Sequence, residues 1–290
     1  MIKFEGVMPA LVTPLTKEEK LNSDALKKLM VHLMDQGAYG FYVGGATGEG
    51  LCLDREVREQ LAFEAIKNAA GKVPVIMHIA SINIREAISL AKNAEQNGAS
   101  AISAIPPMFF RYDEDDVFNY YKKIAESVNI PLMVYYNLSA GFNLSAEFAS
   151  RLFTIDNVTA IKWTCSDYYG VIRLKELTHG EMNVINGCDE MLLPGLSAGA
   201  DGGIGLTYNF QLPDLIKVYD NFKAGDIQTA LKYQTLADKR LKALQKYMTL
   251  PGTKAIVEKM GFDVGDASFP MKHYSDETKQ KIYDEVMSVK

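Results

Sequence analysis

The sequence predicts a (β/α)8 TIM barrel, in which eight parallel strands form the inner wall and helices cover the outside, followed by a C-terminal helical extension. Two observations predict this fold. Eight short apolar runs alternate with amphipathic stretches before residue 224, and runs that are apolar throughout indicate strands covered on both faces. Eight such units in roughly 220 residues also match this barrel, which usually has about 250 residues. A doubly wound open sheet is the alternative.

The strand candidates are short and are separated by helical patterns. In chain order they are GVMPALVT (6–13), GFYVGG (40–45), VPVIMHIA (73–80), AISAIPP (101–107), PLMVYYN (131–137), VTAIKWT (158–164), MNVINGC (182–188) and DGGIGLT (201–207). The helical patterns begin after N-cap residues such as Ser23 and Asp54. They end at glycines such as Gly37, Gly71 and Gly98, which allow the left-handed backbone of a helix end.

The C-terminal part of the chain, residues 225–290, has the apolar periodicity of helices and contains no strand pattern. No linker-like composition separates it from the preceding units, so it does not have the character of an independent domain. We therefore expect a barrel domain over residues 1–224 and a helical extension over residues 225–290 that packs on the barrel.

The composition indicates a protein that acts on small molecules. The formal net charge is −5 and there is no long Lys/Arg run, which argues against nucleic acid or a membrane surface as partner. No apolar run reaches the roughly 18 residues of a membrane span, and the N-terminus lacks an export signal, so a cytoplasmic location is expected. The three cysteines have no CxxC spacing and the histidines are scattered, so neither a metal site nor a disulfide framework is predicted.

The sixth strand candidate carries a lysine, Lys162, in an otherwise apolar run. If both faces of the strand are covered, this ammonium group must be paired or lose its proton, and a neutral amine is a nucleophile. An edge strand with its lysine in water is the alternative. The barrel prediction favours a buried lysine, because alternate strand residues fill the interior and the chemistry is located at the carboxyl ends of the strands.

A glycine-rich turn, GGATGEG (44–50), follows the second strand candidate. Its glycines do not fit GxGxxG, and it lacks the Lys-Ser/Thr pair of a P-loop, so nucleotide binding is not indicated. Its exposed backbone N–H groups would suit a carboxylate or another small anion. A plain glycine-rich turn is the structural alternative.

Two other strand ends carry polar side chains. VYYN (134–137) ends the fifth candidate, and alternation places Val134 and Tyr136 on one face. If that face points inward, Tyr136 stands beside Lys162, where a phenol can relay a proton. Asp189 and Glu190 follow the seventh candidate and could hydrogen-bond a polyhydroxylated ligand. A core tyrosine and a pair of helix-capping acids are the structural alternatives.

The combination of GGATGE after strand two, YYN at the end of strand five and IKWT on strand six resembles the lyase family that includes dihydrodipicolinate synthase and N-acetylneuraminate lyase. The resemblance extends over almost the whole chain. It implies a class I aldolase that forms a covalent imine (Schiff base) on a lysine and needs no metal or other cofactor. It also implies a small-molecule 2-keto acid substrate and a homotetramer.

The resemblance also implies roles for individual residues. Lys162 would form the imine, Tyr136 would shuttle the proton, and Thr47 with the adjacent backbone would bind the carboxylate of the keto acid. NGCDE (186–190) and ADGGIGLTYN (200–209) look like the sialic acid lyase branch, which cleaves N-acetylneuraminate to pyruvate and N-acetylmannosamine. The other substrate-binding positions that the resemblance implies are Ala46, Thr164, Gly187, Asp189, Glu190 and Leu206.

Several positions depart from the sialic acid lyase pattern. Ala46 replaces a serine that offers a hydroxyl to the carboxylate, and Leu206 replaces a serine that helps to hold the glycerol tail. Phe109 and Phe110 stand where tyrosines are common. The dihydrodipicolinate synthase branch has an arginine shortly after its YN pair, whereas YNLSAGF (136–142) has none. The alternatives are therefore another 2-keto-3-deoxy sugar acid aldolase, a dihydrodipicolinate synthase-like enzyme, or a ligand-binding barrel without turnover.

Overall fold

The computed structural model describes residues 3–290, at residue 139 the backbone alone. Its strands are β1 (Gly6–Pro9), β2 (Phe41–Val43), β3 (Val75–His78), β4 (Ala101–Ala104), β5 (Leu132–Asn137), β6 (Val158–Thr164), β7 (Asn183–Asn186) and β8 (Gly202–Gly205). Its helices are α1 (Ser23–Asp35), α2 (Arg55–Ala69), α3 (Ile84–Gln96), α4 (Glu114–Ala125), α5 (Ala146–Leu152), α6 (Tyr168–Leu177), α7 (Leu192–Ser197), α8 (Tyr208–Lys223), α9 (Ile227–Leu244), α10 (Thr249–Lys259) and α11 (Asp276–Met287).

The eight strands form one parallel sheet in the order β1-β8-β7-β6-β5-β4-β3-β2. The two ends of this sheet meet. Ala10, directly after β1, forms a parallel bridge with Tyr42 of β2, and the Leu11 N–H donates to the Tyr42 carbonyl oxygen at 2.9 Å. The prediction of a (β/α)8 barrel is therefore confirmed, and the doubly wound open sheet is excluded.

The helix ends follow the predicted signals with one shift. The N-cap of α1 is Asn22 rather than Ser23, since the Asn22 side chain accepts the Ala25 N–H at 3.2 Å. Asp54 is the N-cap of α2, as predicted. The glycines at 37, 71 and 98 have φ angles of 96°, 70° and 89°, which is the left-handed region that glycine adopts without strain.

The interior of the barrel is lined by alternate strand residues. Residues that pair across parallel strands point to the same side of the sheet, so the register identifies this set. Lys162 of β6 contacts the ring of Tyr42 on β2, which is not a neighbouring strand, so both side chains point inward. The residues that share their face are Met8, Ile76, His78, Ala101, Ser103, Met133, Tyr135, Ala160, Ile185 and Ile204.

The C-terminal helices α9, α10 and α11 pack on the barrel. Their apolar faces are buried, as Leu244 and Ile256 illustrate, and the Leu193 N–H of α7 donates to the Gln234 side chain of α9 at 2.9 Å. The predicted domain boundary at residue 224 falls in the short connection between α8 and α9. No helix within residues 3–290 is long and apolar enough to cross a membrane.

Candidate active site

Lys162 lies in the interior near the carboxyl end of β6, with β5 on one side and β7 on the other. The edge-lysine alternative is therefore excluded. The residue is only 5% exposed, and it forms no ion pair with a carboxylate among residues 3–290. Its Nζ instead lies 4.2 Å from the ring centroid of Tyr135 and 4.5 Å from that of Tyr42. A buried amine without a counter-ion is suited to act as a nucleophile.

The tyrosine that faces Lys162 is Tyr135 and not Tyr136. Tyr135 pairs in register with Lys162, whereas Tyr136 pairs with Trp163 on the opposite face of the sheet. The Tyr136 ring packs edge-on against Trp163 at a centroid distance of 4.8 Å, and its hydroxyl donates to Asn143 Oδ1 at 2.8 Å. The inward placement of Tyr136 that alternation allowed is thus corrected, because it is the other phase of the strand that points inward.

A buried histidine, His78, lies beside these tyrosines at the end of β3. Its ring is 5.9 Å from that of Tyr135, and its Nδ1 lies 3.1 Å from the carbonyl oxygen of Gly44. A carbonyl can only accept, so Nδ1 carries the proton and Nε2 is a buried acceptor without a partner among the described residues. Burial, aided by the positive charges of Arg58 and Lys162, lowers the pKa of His78 to about 3, so this imidazole stays neutral.

The glycine-rich turn after β2 folds tightly back on itself. A Cβ atom on Gly50 would come within 1.8 Å of the Gly44 carbonyl oxygen, so a larger residue cannot replace this glycine. Thr47 is buried and Ala46 is exposed. The N–H groups of Ala46, Thr47 and Gly48 have no hydrogen-bond partner within residues 3–290. The turn can therefore offer several free donors to an anion.

A buried ion pair holds this turn to the C-terminal helices. Glu49, in the left-handed region at φ 59°, pairs with Lys254 of α10 at 3.0 Å, and neither side chain is more than 1% exposed. Lys254 also donates to the carbonyl oxygens of Thr13 and Asp266 at 3.0 and 2.7 Å, and Glu49 accepts the Ser268 N–H at 2.5 Å. Every charged atom of the pair is satisfied, so the loop has one defined conformation.

Replacement of Lys254 by methionine is expected to destabilise the protein strongly. The substitution leaves the Glu49 carboxylate buried without a cation, which typically costs about 3–5 kcal/mol in the free energy of unfolding. The measurement is urea denaturation followed by circular dichroism. The control is Lys259→Met on the same helix, where the ion-pair partner, Asp276, is exposed. A loss no larger than that of the control would show that the Glu49–Lys254 pair does not stabilise the fold.

Thr164 and Gly187 lie side by side at the ends of β6 and β7. The Thr164 hydroxyl is buried and has no hydrogen-bond partner among the described residues, so it can bind a ligand. A Cβ atom on Gly187 would come within 1.9 Å of the Thr164 oxygen, which explains the glycine at this position. The structure thus brings these two predicted residues together.

The two acids after β7 differ in their surroundings. The Asp189 carboxylate accepts the backbone N–H groups of Leu206 and Thr207 at 3.1 and 2.6 Å and the Thr207 hydroxyl at 2.6 Å. Asp189 therefore joins the ends of β7 and β8, and burial raises the pKa of its carboxyl group above the usual value. Glu190 is exposed, and Leu206 is half-buried. Glu190 is thus the acid that remains free to meet a solute.

The described residues contain no preformed metal site. Within residues 3–290 no group of three or more His, Cys, Asp and Glu side chains is arranged to hold a metal ion. The three cysteines are free thiols. A mechanism without a cofactor stays a prediction.

Sequence reasoning missed Tyr42, Tyr135, His78, Glu49 and Lys254. The tyrosine next to Tyr136 carried the same chemical signal, and only the strand phase distinguishes the two. Glu49 was visible as the acid of the turn, but its partner lies 205 residues away in the chain, and nothing in the sequence links the two.

Comparison with known proteins places the whole chain. The sequence model of the dihydrodipicolinate synthetase family matches residues 3–288. N-acetylneuraminate lyase of Rhizobium meliloti (strain 1021) is 33% identical over 274 residues, which are 93% of this chain and 90% of that protein. The crystal structure of N-acetylneuraminate lyase from Mycoplasma synoviae superimposes with a TM-score of 0.92 at 30% identity, covering 99% of this chain and 97% of that one.

A dihydrodipicolinate synthase is almost as similar in structure. The crystal structure of this enzyme from Bacillus anthracis superimposes with a TM-score of 0.94 at 26% identity, and each chain is covered completely. The fold therefore does not separate the two activities, and the lyase names come from the sequence relatives. The family match over nearly every residue, together with these relatives, shows that the chain is an enzyme of the dihydrodipicolinate synthetase family, which includes N-acetylneuraminate lyases.

Proposed function

We propose that this enzyme is a Schiff-base aldolase that cleaves N-acetylneuraminate to pyruvate and N-acetylmannosamine. The observation that supports the proposal most is the buried Lys162 amine, which has no carboxylate partner among the described residues and faces a phenol and a turn with free N–H groups. The sequence relatives named N-acetylneuraminate lyase support the choice of substrate.

The proposed reaction begins with the attack of neutral Lys162 on the C2 ketone of the keto acid. Loss of water gives a protonated imine, which withdraws electrons from the neighbouring carbon atoms. Removal of the proton from the C4 hydroxyl then breaks the C3–C4 bond, and the bonding pair becomes the enamine of pyruvate. Protonation of the enamine and hydrolysis of the imine release pyruvate and restore the lysine.

Tyr135 is the group that we assign to the proton transfer at the C4 hydroxyl. It is the tyrosine in register with Lys162, and its ring contacts the reacting nitrogen. The carboxylate of the keto acid is assigned to Thr47 and the free N–H groups of its turn. Holding the carboxylate there orients the ketone toward the lysine, which is a positioning contribution to catalysis.

Borohydride reduction in the presence of pyruvate tests the proposal. An imine between Lys162 and pyruvate would be trapped as a stable amine, and intact mass measurement would show the added pyruvyl group. A coupled assay for pyruvate release from N-acetylneuraminate would then measure turnover. If saturating pyruvate leaves no adduct, the protein is a ligand-binding barrel and not an aldolase of this class.

A second candidate function is cleavage of a shorter 2-keto-3-deoxy sugar acid. Ala46 and Leu206 favour it, because neither side chain can donate the hydrogen bond that a serine would supply to the carboxylate or to the glycerol tail. A dihydrodipicolinate synthase activity is disfavoured, since no arginine follows Asn137 in the segment YNLSAGF.

We expect the Ala46→Ser, Leu206→Ser double variant to lower KM for N-acetylneuraminate. Each added neutral hydrogen bond contributes roughly 0.5–1.5 kcal/mol, which is a few-fold in KM. The measurement is kcat/KM for N-acetylneuraminate beside shorter 2-keto-3-deoxy sugar acids, in the wild type and the variant. A wild-type preference of about tenfold or more for a shorter acid, or 1.4 kcal/mol, would favour the second candidate.

The assembly is proposed from the family resemblance alone. We propose a homotetramer, and sedimentation equilibrium would distinguish it from a monomer or a dimer. A cytoplasmic location likewise stays a prediction.

A further inference from the structure

The two rings around Lys162 are a feature of the site that the proposed acid–base chemistry does not explain. The centroids of Tyr42 and Tyr135 lie 4.5 and 4.2 Å from Lys162 Nζ. The rings are 5.8 Å apart with an angle of 78° between their planes. The amine therefore contacts the faces of two aromatic rings that come from strands on different sides of the barrel.

These ring faces are the groups in contact with Lys162 that attract a positive charge. Lys162 has no carboxylate partner within residues 3–290, and the neighbouring His78 stays neutral. The face of an aromatic ring carries a negative electrostatic potential, and this attraction is strongest when the cation is shielded from water. Lys162 is shielded, with 5% of its surface exposed.

Tyr42 is held rigidly in this position. It is 1% exposed, and its hydroxyl donates to Ser103 Oγ at 3.0 Å across the interior. Burial raises the pKa of the Tyr42 phenol well above its usual value, so the ring stays neutral and does not become a phenolate. The hydroxyl is engaged by Ser103, which leaves the ring face as the part of Tyr42 that acts on the lysine.

We propose that Tyr42 is a catalytic residue whose ring, together with that of Tyr135, forms a cation–π cradle for the protonated imine nitrogen on Lys162. This inference rests on the proposed Schiff-base function and deepens it. The amine and the ketone combine with one proton, release one water molecule and leave a positively charged C=N group, which then receives the electrons of the C3–C4 bond. The cradle stabilises that charge while it is present.

The cradle also explains why no carboxylate stands at this position. A carboxylate would pair tightly with the free lysine and hold it as an ammonium ion, which is not a nucleophile. The weaker attraction of ring faces stabilises the imine cation without this strong, direct ion pair. The site is therefore suited to a nitrogen that must be neutral at one step and charged at the next.

Fluorinated phenylalanines at position 42 test the cradle. Tyr42→Phe serves as the reference, and rings with one, two and three fluorine atoms keep nearly the same shape while their negative face weakens. The measurement is the fraction of protein trapped by borohydride at a fixed, subsaturating pyruvate concentration. We expect the logarithm of the apparent imine formation constant to fall with each fluorine, by roughly 5- to 30-fold over the series.

The same series at Phe41 is the matched control. Phe41 is equally buried on the same strand but points to the opposite face, away from Lys162. Trapping should stay constant in the Phe41 series, and melting temperatures should match between the two series. A flat response at position 42, or an equal fall in both series, would overturn the cradle. If wild-type protein traps no pyruvate, the proposed function fails instead.

Discussion

Replacement of Lys162 by alanine is expected to abolish both the pyruvate adduct and aldolase turnover. The amine is the group that we assign to the covalent bond with substrate, and no other lysine contacts the Tyr42 and Tyr135 rings in residues 3–290. Loss of a nucleophile typically reduces kcat by about 10³-fold or more. The barrel should still fold, because the substitution removes an unpaired amine from a large core.

Intact mass after borohydride reduction and a coupled pyruvate-release assay would measure these losses. Lys92→Ala, at an exposed site on α3, is the control and should be trapped like the wild type. Circular dichroism and melting temperature would establish that the Lys162 variant is folded. An adduct that still forms in folded Lys162→Ala would mean that another amine is the nucleophile.

Substitution of phenylalanine for Tyr135 is expected to slow turnover by about 10²- to 10⁴-fold, the usual contribution of a general acid–base group. The ring remains, so the contact with Lys162 and the trapping of pyruvate should persist. Only the hydroxyl that moves the C4 proton is lost. The measurement is kcat for N-acetylneuraminate, with borohydride trapping as a separate readout of imine formation.

Tyr136→Phe is the matched control, since it removes the same atom from the adjacent residue. That hydroxyl bonds Asn143 on the outer face, and burial raises its pKa to about 12, so it is a poor proton carrier near neutral pH. We expect kcat to change little. The reverse result, with Tyr136→Phe inactive and Tyr135→Phe active, would return the proton transfer to Tyr136, as the family resemblance implied.

The contrast between these two tyrosines shows how far sequence patterns reach. Apolar runs and helix signals predicted every strand of the barrel, because burial on both faces leaves a strong pattern. The phase of β5 was a different problem. The register of β5 against β6 shifts between Leu132 and Met133, and such an irregularity moves all later side chains relative to the neighbouring strand. A pattern of period two cannot locate that shift.

Lys162 was predictable for the opposite reason. A charged residue inside an apolar strand conflicts with its surroundings, and such conflicts tend to mark functional sites. Tyr42 and His78 gave no such signal, since an aromatic residue in a strand is ordinary core material. Their importance depends on the closure of the barrel, which brings β2 and β3 opposite β6.

The Glu49–Lys254 pair has a consequence for the order in which the protein matures on the ribosome. The turn around Glu49 emerges early, but its cation follows 205 residues later and Ser268 follows 219 residues later. At about 5–20 residues per second, that interval is roughly 10–40 s of synthesis. Throughout it, a nascent chain with all eight strands already made still lacks the partners that hold the turn in place. Such a chain has Lys162 but no ordered carboxylate site, so competence for the keto acid arrives with the last helices.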